Sequence, residues 1–522
     1  MKPNLFLSTT ALALLGTGIT QCKPKEEKPM NVVFFLVDDL GWTDIGCYGS
    51  RLYETPNIDR FARDGVRFTD AYAACHVSSP SRASLLTGKY PASLNLTDWL
   101  PGRRDFPFQK MLNVPINQHL PYDGTTIAKV LQENGYHTAI FGKWHLGEDS
   151  LSTFRQGFDL HVPEGWNKGW PNKGYLSPYG LKGLKDGPAG EYLTDRLTTD
   201  ALQYIEENKD HPFFLYLSHF AVHDPIEGRP DLVEKYRKKR EQMPEPQGPP
   251  FVLEGNPDDA SAEKTTPLSY DGYRIFPDHT VPIKQHQDNV EFAAMVESMD
   301  ESLGRVLHQL KALGIDDRTI VIFYSDNGGM AAANFYNPER EISENQLDKA
   351  FSTSNLPLRG AKGWLYEGGI RVPLIVKWPG KGVQNTVCNV PVTSPDFFPT
   401  ILDLLSIRTP AGVQSDGVSF APLLKGDTQL DREAIFWHFP HYSNHGMQSP
   451  GGAVRYGDYK LLEYYENNTV QLFNLKNDIG EQHDLAASEP EMVNLLREML
   501  HNWQKQVDAK TMLPNPKYKK IQ

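Results

Sequence analysis

Asn31-Val32-Val33-Phe34-Phe35-Leu36-Val37-Asp38-Asp39 is a continuous apolar run that ends in two carboxylates. A strand wetted on one face alternates apolar and polar residues, whereas a strand covered on both faces of a parallel sheet does not. The run predicts a buried strand over 31–37. Its two aspartates then fall at the strand's carboxyl end, where open α/β sheets keep their sites.

Outward from this stretch the same design repeats. Residues 137–141 form an apolar strand that delivers Gly142-Lys143-Trp144-His145. Residues 213–217 deliver Ser218-His219-Phe220-Ala221-Val222-His223, and 319–324 deliver Ser325-Asp326-Asn327-Gly328-Gly329. Runs at 66–73 and 372–378 complete the series. Helices are expected at 57–64, at 125–134 before Gly135, at 289–313 and at 395–405. In 289–313, Phe292, Met295, Met299, Leu303, Val306 and Leu310 share one face. Residues 225–287, rich in proline and charge, read as an irregular insert that shapes a site rim.

Thr409-Pro410-Ala411-Gly412 suggests a boundary. Beyond it, residues 434–439, 453–464 and 470–473 read as antiparallel strands and 489–506 as a closing helix. The expected fold class is α/β, with a large central mostly parallel sheet flanked by helices, then a small C-terminal α+β domain with an antiparallel sheet. The expected divisions are 1–22, 23–30, 31–410 and 411–522.

The chain has 522 residues and a formal net charge of −12, with 53 basic against 65 acidic side chains. That balance argues against a nucleic-acid partner but not against a small anionic substrate, because a few clustered cations dominate locally. Four cysteines, Cys22, Cys47, Cys75 and Cys388, are too few and too scattered for a disulfide framework or a zinc site, although Cys47 and Cys75 are able to pair. Residues 1–22 read as an export signal, with Lys2 ahead of an apolar core from Leu5 to Leu15. Ile19-Thr20-Gln21-Cys22 is similar to a bacterial lipobox, Gln21 departing from the usual small residue, and the charged stretch 23–28 suits a tether. The expectation is an exported protein, periplasmic or an outer-membrane lipoprotein of a Gram-negative bacterium, with a lipid anchor at Cys22 or simple secretion as the alternative.

The segment Ser78-Ser79-Pro80-Ser81-Arg82-Ala83-Ser84-Leu85-Leu86-Thr87-Gly88 reads as a helix start, placing Ser78 just ahead of a helix N-terminus whose N–H groups favour an oxyanion. An ordinary capped helix has the same pattern. Asp38, Asp39, Asp326 and Asn327 are oxygen ligands at two strand ends and suit a hard divalent cation such as calcium. Lys143, and Lys362 in the glycine-rich stretch 359–371, lie in loops, where plain surface exposure is the competing reading.

Taken together, these motifs resemble the type I sulfatases. The resemblance rests on Val37-Asp38-Asp39-Leu40-Gly41, the Ser-x-Pro-Ser-Arg signature at Ser78, Gly142-Lys143-Trp144-His145-Leu146-Gly147, Val222-His223-Asp224-Pro225, Ser325-Asp326-Asn327-Gly328, and Lys362-Gly363 with Tyr366-Glu367-Gly368-Gly369. Cys75 is out of frame for the signature and reads as a small buried residue. The resemblance implies an alkaline-phosphatase-like fold and an exported enzyme hydrolysing sulfate esters on a sulfated glycan. It implies that a maturation enzyme oxidises Ser78 to formylglycine, whose hydrate is the nucleophile. Asp38, Asp39, Asp326, Asn327 and the matured Ser78 would hold calcium. Lys143 and Lys362 would hold sulfate oxygens, Arg82 would position the hydrate, His145 would assist sulfate elimination and His223 would protonate the leaving sugar oxygen.

Residues 95–102 and 437–442 look similar to sulfatases acting on sulfated galactose or N-acetylgalactosamine, with exo action and the 4-O-sulfate as the expectation. His441 and Arg455 are candidate substrate contacts, Arg455 equally a sheet residue. A phosphatase or phosphodiesterase of the same fold is the enzymatic alternative; such relatives usually hold two metals through extra histidine and aspartate ligands. An unmodified, inactive glycan-binding lipoprotein is the other, since serine at position 78 is inert until oxidised.

Overall fold

A computed structural model describes Met1 and residues 28–122, 124–149, 151–258, 281–336, 340–445 and 448–519. The export signal, the lipobox and most of the tether lie outside the described residues.

Among these residues the large sheet contains β1 (Asn31–Val37), β2 (Val66–Tyr72), β4 (His137–Gly142), β5 (Leu160–Val162), β6 (Phe213–Ser218), β9 (Thr319–Ser325), β10 (Arg371–Lys377), β11 (Thr386–Cys388) and β12 (Val392–Thr393). Its order is β11-β2-β10-β9-β1-β6-β4-β5, with β12 also on β2. Two short pairs, β3 (Met111–Leu112) with β17 (Leu513–Pro514) and β7 (Phe251–Glu254) with β8 (Val281–Lys284), lie outside it. All its pairings are parallel except those of β10, which runs against both β2 and β9.

Two features of this sheet assemble the site. The central strands end in step, since Gly142 pairs with Ser218, Ser218 with Leu36, and Leu36 with Tyr324. The residues after these ends therefore emerge along one edge. Because β10 is reversed, its first residue, Arg371, pairs with Tyr72 at the end of β2. The loop that precedes β10 and carries Lys362 thus arrives at the same edge.

Successive residues of β1 point to opposite faces. Val33, Phe35 and Val37 pack with Met295, Met299, Leu303 and Val306 of the helix Val290–Ala312, and Val32, Phe34 and Leu36 with Phe397 and Ile401 of Phe397–Leu404. Cover on both faces is why β1 is apolar from Val32 to Val37. Asn289 starts the long helix by accepting the Phe292 N–H at 3.1 Å.

Within the insert 225–287, the described residues 225–258 and 281–287 include regular elements that the composition did not suggest. They contain the helix Pro230–Gln242, whose Leu232, Val233 and Tyr236 pack on the long helix, and the antiparallel pair β7 and β8. The expected strand 453–464 is two, β14 (Gly451–Tyr456) and β15 (Tyr459–Tyr464), turned by Gly457-Asp458 with Gly457 at φ 57°. With β13 (Ala434–Phe439) and β16 (Thr469–Asn474) they form the antiparallel order β13-β14-β15-β16. One face of this sheet packs on Leu496, Leu500 and Trp503 of the helix Pro490–Gln506; the other packs on Tyr72, Trp364 and Tyr366 of the large domain.

A buried ion network crosses that second face. Lys460 on β15 binds Glu367 at 3.0 Å and Glu481 at 2.9 Å, Arg371 binds Glu367 and Asp70, and Arg455 binds Asp70 at 2.8 Å. Cys47, Cys75 and Cys388 are free thiols, so the Cys47–Cys75 pairing left open by the sequence does not form.

Candidate active site

Ser78 is the first residue of the helix Ser78–Thr87, all of which is buried and which ends on Gly88 at φ 70°. Pro80 is the third helical residue, so the helix begins slightly earlier than expected and includes Ser78. The Ser78 hydroxyl lies 3.1 Å from Asp38 Oδ1, 3.4 Å from Asn327 Oδ1 and 3.0 Å from Lys143 Nζ, which donates to it.

Around it, carboxylates and cations alternate. Lys143 Nζ meets Asp38 Oδ2 at 2.7 Å and Lys362 Nζ meets Asp39 Oδ2 at 2.6 Å. Arg82 Nε donates to Asp326 Oδ2 at 2.8 Å, and its Nη1 donates to Ser218 Oγ at 2.6 Å. Ser218, at the end of β6, in turn donates to the Lys143 carbonyl at 2.8 Å, locking the loop that presents Lys143. That loop leaves β4 through Gly142 at φ 107°, where an added Cβ would lie 1.9 Å from the Ser218 carbonyl oxygen. Only glycine allows the approach.

Burial pushes the Asp38 carboxyl up, but Lys143, His223 and Arg82 outweigh it and hold the group below its usual range. The same desolvation lowers Lys143, Asp38 offsetting only part of it. Lys362 is raised in spite of burial, by Asp39, Asp38 and Asp224.

Oxygens of Asp38, Asp39 and Asp326 converge within 4.8 Å of one another, all buried. Asp39 reaches this position in a left-handed backbone conformation, φ 60°, which aspartate tolerates better than most residues, and its N–H donates to Asp326 Oδ1 at 3.2 Å. A buried, anionic, all-oxygen cluster fits a hard divalent cation.

Two of the histidines at the pocket, His145 and His223, are tuned in opposite directions. His145 Nε2 lies 2.9 Å from the Leu100 carbonyl, which can only accept, so Nε2 carries the proton and Nδ1 is left bare and without a partner. Burial first, then the charge of Lys143, holds this imidazole well below its ordinary value. His223 Nδ1 donates to the Asp224 carbonyl at 2.7 Å and lies 2.7 Å from Asp224 Oδ1, while Nε2 lies 3.7 Å from Asp39 Oδ2. Burial and Lys362 oppose protonation there, yet Asp39, Asp224 and Asp38 prevail and the imidazole is raised. One imidazole is thereby held neutral and the other is biased toward its charged form.

Ser78, His145, His223 and Lys362 line one pocket of about 540 Å³, within the range of about 300–1,000 Å³ common for small-ligand sites. A larger cavity of about 710 Å³, near Lys89, Asn117 and Lys510, includes none of them. The pocket is completed by Trp99, Trp170, Asp224, Tyr336, Asn444 and His445. Of these, Trp170, Tyr336, Asn444 and His445 carry no periodic or motif signal in the sequence.

Two of the candidate substrate contacts lie away from the pocket lining. Arg455 faces the ion network, bound to Asp70 and Tyr72, and is not part of the pocket wall. His441 is buried, with Nε2 2.8 Å from Thr97 Oγ1, and does not line the pocket. His219, read as structural, is buried, with Nε2 2.9 Å from Ser302 Oγ.

A buried serine hydroxyl ringed by cations and carboxylates, with two oppositely tuned imidazoles, at the carboxyl edge of a mostly parallel sheet suits transfer from an oxyanion ester. The architecture is that of the alkaline-phosphatase-like hydrolases. A family model described as Sulfatase matches residues 30–407, and the chain belongs to the sulfatase family, the sulfuric ester hydrolases. A second model, described as N-sulphoglucosamine sulphohydrolase, C-terminal, matches residues 361–509.

Among similar proteins, a sulfatase of Formosa agariphila is 32% identical, covering 92% of this chain and 88% of its own. The N-acetylgalactosamine-6-sulfatase of Mus musculus is 29% identical, covering 91% and 78%. The crystal structure of Ps i-CgsB in complex with k-i-k-neocarrahexaose superposes with a TM-score of 0.69 at 27% identity, covering 95% of each chain.

Proposed function

We propose that the enzyme removes the sulfate of a galactose or N-acetylgalactosamine residue at the end of a glycan, acting at O4, with Ser78 matured to formylglycine. The observation that carries the reading is the convergence on the Ser78 hydroxyl of Lys143 Nζ at 3.0 Å, Asp38 at 3.1 Å and Asn327 at 3.4 Å, beneath an open pocket. The similarity to an N-acetylgalactosamine-6-sulfatase and to a structure holding a carrahexaose supports the sugar class. The first of those names makes O6 the competing position.

Asp38, Asp39, Asp326, Asn327 and the matured Ser78 would hold calcium. When present, calcium supplies charge stabilisation to the sulfate oxygens and the hydrated formylglycine supplies the nucleophilic hydroxyl. The chain's own side chains do the rest. Lys143 and Lys362 bind the sulfate oxygens and orient the S–O bond. Arg82, fixed by Asp326 and Ser218, holds the Ser78 helix against the cluster. His223 gives its Nε2 proton to the departing sugar oxygen; Asp39, and Asp224 outside the proposed metal ligands, favour the charged imidazole. His145 Nδ1 takes the proton released when the enzyme regenerates. The aromatic side chains keep bulk water off the exchange.

Export to the periplasm or outer membrane, a lipid on Cys22, an oxidising maturation enzyme and a division near residue 410 belong to the same proposal. Fatty-acid labelling that disappears in Cys22→Ala tests the anchor.

The deciding experiment is mass spectrometry of the Ser78 peptide from the native host, together with turnover of N-acetylgalactosamine 4-sulfate and 6-sulfate by the wild type and Ser78→Ala. The expected results are loss of two hydrogens at Ser78, faster turnover of the 4-sulfate and an inactive variant. Undiminished turnover by Ser78→Ala would end the mechanism; preference for the 6-sulfate would move the position alone.

A further inference from the structure

Behind the carboxylate cluster, Asn355 has one end of its amide over-provided with partners and the other end bare. The residue is 2% exposed, and Nδ2 donates to the Gly329 carbonyl at 2.9 Å and to the Gly360 carbonyl at 3.1 Å. Two carbonyls fix the amide's orientation, because a flipped group would set oxygen against oxygen. Oδ1 therefore points the other way, where it has no hydrogen-bond partner in the protein. A buried acceptor left unpaired is rare and costly.

The group beside it is Asp44, which is fully buried. Asp44 Oδ1 accepts from Thr353 Oγ1 at 2.6 Å and from Gln287 Nε2 at 2.9 Å, and Oδ2 accepts the Gly41 N–H at 2.8 Å. A Cβ added to Gly41 would lie 2.7 Å from Asp44 Oδ2 and 2.6 Å from Asn355 Oδ1. One added to Gly329 would lie 3.2 Å and 2.7 Å from the same two atoms. Both oxygens thus occupy one small space between the loops that follow β1 and β9.

Two acceptors held this way repel unless one of them carries a proton, and of the two only the carboxyl can. Nothing keeps Asp44 charged. Its donors are all neutral groups, and among the described residues it forms no ion pair. Burial pushes the carboxyl up to about 7, with Thr353, Gly41 and Gln287 offsetting part of the rise. The titratable group facing the same cluster is Tyr53, 3.1 Å from Thr353 Oγ1 and itself raised by burial and by Asp44. Asp288 and Asp348, which act on Tyr53, are paired with Lys284.

The pair sits where the loops of the site meet. Gly41 follows Asp39 by two residues, Gly329 follows Asn327 by two, and Gly360 precedes Lys362 by two. The Gly329 carbonyl that accepts from Asn355 also accepts the Lys362 N–H at 3.0 Å. We propose that Asp44 is a positioning residue, a neutral acid that donates its Oδ2 proton to Asn355 Oδ1, and that this shared proton holds the loops of Asp39, Asn327 and Lys362 together. The proposal rests on the sulfatase reading above only for its effect on calcium and turnover. Loss of the proton sets two bare acceptors against each other and loosens all three loops.

The first test needs neither matured Ser78 nor turnover. Asp44→Asn keeps Oδ1 and puts an N–H where the shared proton lies, losing the bond from Gly41. An acid raised by folding binds a proton that the unfolded chain has released, so this part of wild-type stability is lost as pH rises from about 3.8 to about 7. The variant has no such loss. Its deficit against the wild type, read from urea midpoints, should therefore shrink between pH 5.5 and pH 8. Infrared spectra at pH 5.5 should show a protonated-carboxyl band that the variant lacks. A deficit that stays constant or widens, or identical spectra, would overturn the shared proton. Should Asp44→Asn fail to fold, Asn355→Asp adds a second acid at the same point and should be destabilised more at pH 8 than at pH 5.5. Relief of that loss by calcium, beyond calcium's effect on the wild type, would place a cation where the proton is proposed.

Positioning is read with Asp44→Ala. Calcium affinity of the unmatured protein, measured by calorimetry, should fall about 10–100-fold. In matured enzyme kcat should fall by a similar factor on sugar sulfate and nitrophenyl sulfate alike, with Asp44→Asn recovering part of it. Undiminished affinity and kcat in folded Asp44→Ala would overturn the positioning role. A matured wild type inactive on both substrates would strike the sulfatase reading instead and leave the stability result standing.

Discussion

Lys460→Met tests the ion network beneath the Lys362 loop. Lys460, Glu367 and Glu481 are all fully buried, with the ammonium 3.0 Å and 2.9 Å from the two carboxylates. Methionine keeps most of the stem volume and removes the charge. Breaking a buried ion pair typically costs about 3–5 kcal/mol, because the partner's charge is left uncompensated. Glu367 keeps Arg371 at 3.2 Å, so Glu481 bears most of the loss.

Glu481 also sets the pH dependence. Burial raises its carboxyl to about 7 even with Lys460 present, from an ordinary value of 4.5. A carboxyl raised by folding binds a proton in the native state that the unfolded chain has released, so wild-type stability falls as pH rises from about 4.5 to about 7. Without Lys460 the carboxyl rises further, and protonation at low pH relieves the vacancy. The full destabilisation should therefore appear at pH 8 and shrink at pH 5.5. The assay is the midpoint of urea unfolding at both pH values, with the slope checked for constancy. Glu481→Gln added to Lys460→Met should restore most of the loss at pH 8. A pH-independent loss under about 1 kcal/mol, below the range for a broken buried pair, would refute the reasoning.

Three further outcomes follow from the site. His223→Ala should cost about 10²–10⁴ in kcat/KM on a sulfated sugar and much less on nitrophenyl sulfate, whose phenolate leaves without a proton; equal losses would remove His223 from the acid role. The kcat/KM–pH profile should have its acid limb well below 6.5, where His145 protonates, and its basic limb above 6.5, where His223 loses its proton, and Asp224→Asn should move the basic limb to lower pH. Stripping calcium should abolish turnover and lower the melting temperature, and calcium should restore both; stoichiometric zinc bound tightly at the site would contradict the oxygen cluster.

Much of the site was legible because its residues directly follow strands that are buried on both faces. Such strands are written as unbroken apolar runs, so Asp38, Lys143, His223 and Asp326 could be placed at one edge from order alone. The helix Leu193–Glu207 went unread. Leu197, Ala201, Tyr204 and Ile205 have helical spacing, but threonines and charges dilute the face. Pro230–Gln242 was hidden by its charge in the same way. For Arg455 the residue type suggested a ligand contact, yet its alternation on β14 turns it into the interface with Asp70. Trp170, Tyr336, Asn444 and His445 lie on loops, and only the tertiary fold decides which loops close over a pocket.

The burial of Ser78 turns the layout of the chain into a schedule. Its side chain is 3% exposed in the folded protein, under a wall that includes Lys362 and His445. The oxidation proposed above would need the segment free, before that wall is in place. Lys362 lies 284 residues downstream (362 − 78). At about 5–20 residues per second, synthesis takes roughly 15–60 s to cover that distance. The reversed strand β10 cannot seat the Lys362 loop any sooner, so the topology itself holds a window open in which an early residue remains accessible while the late ones are still being made.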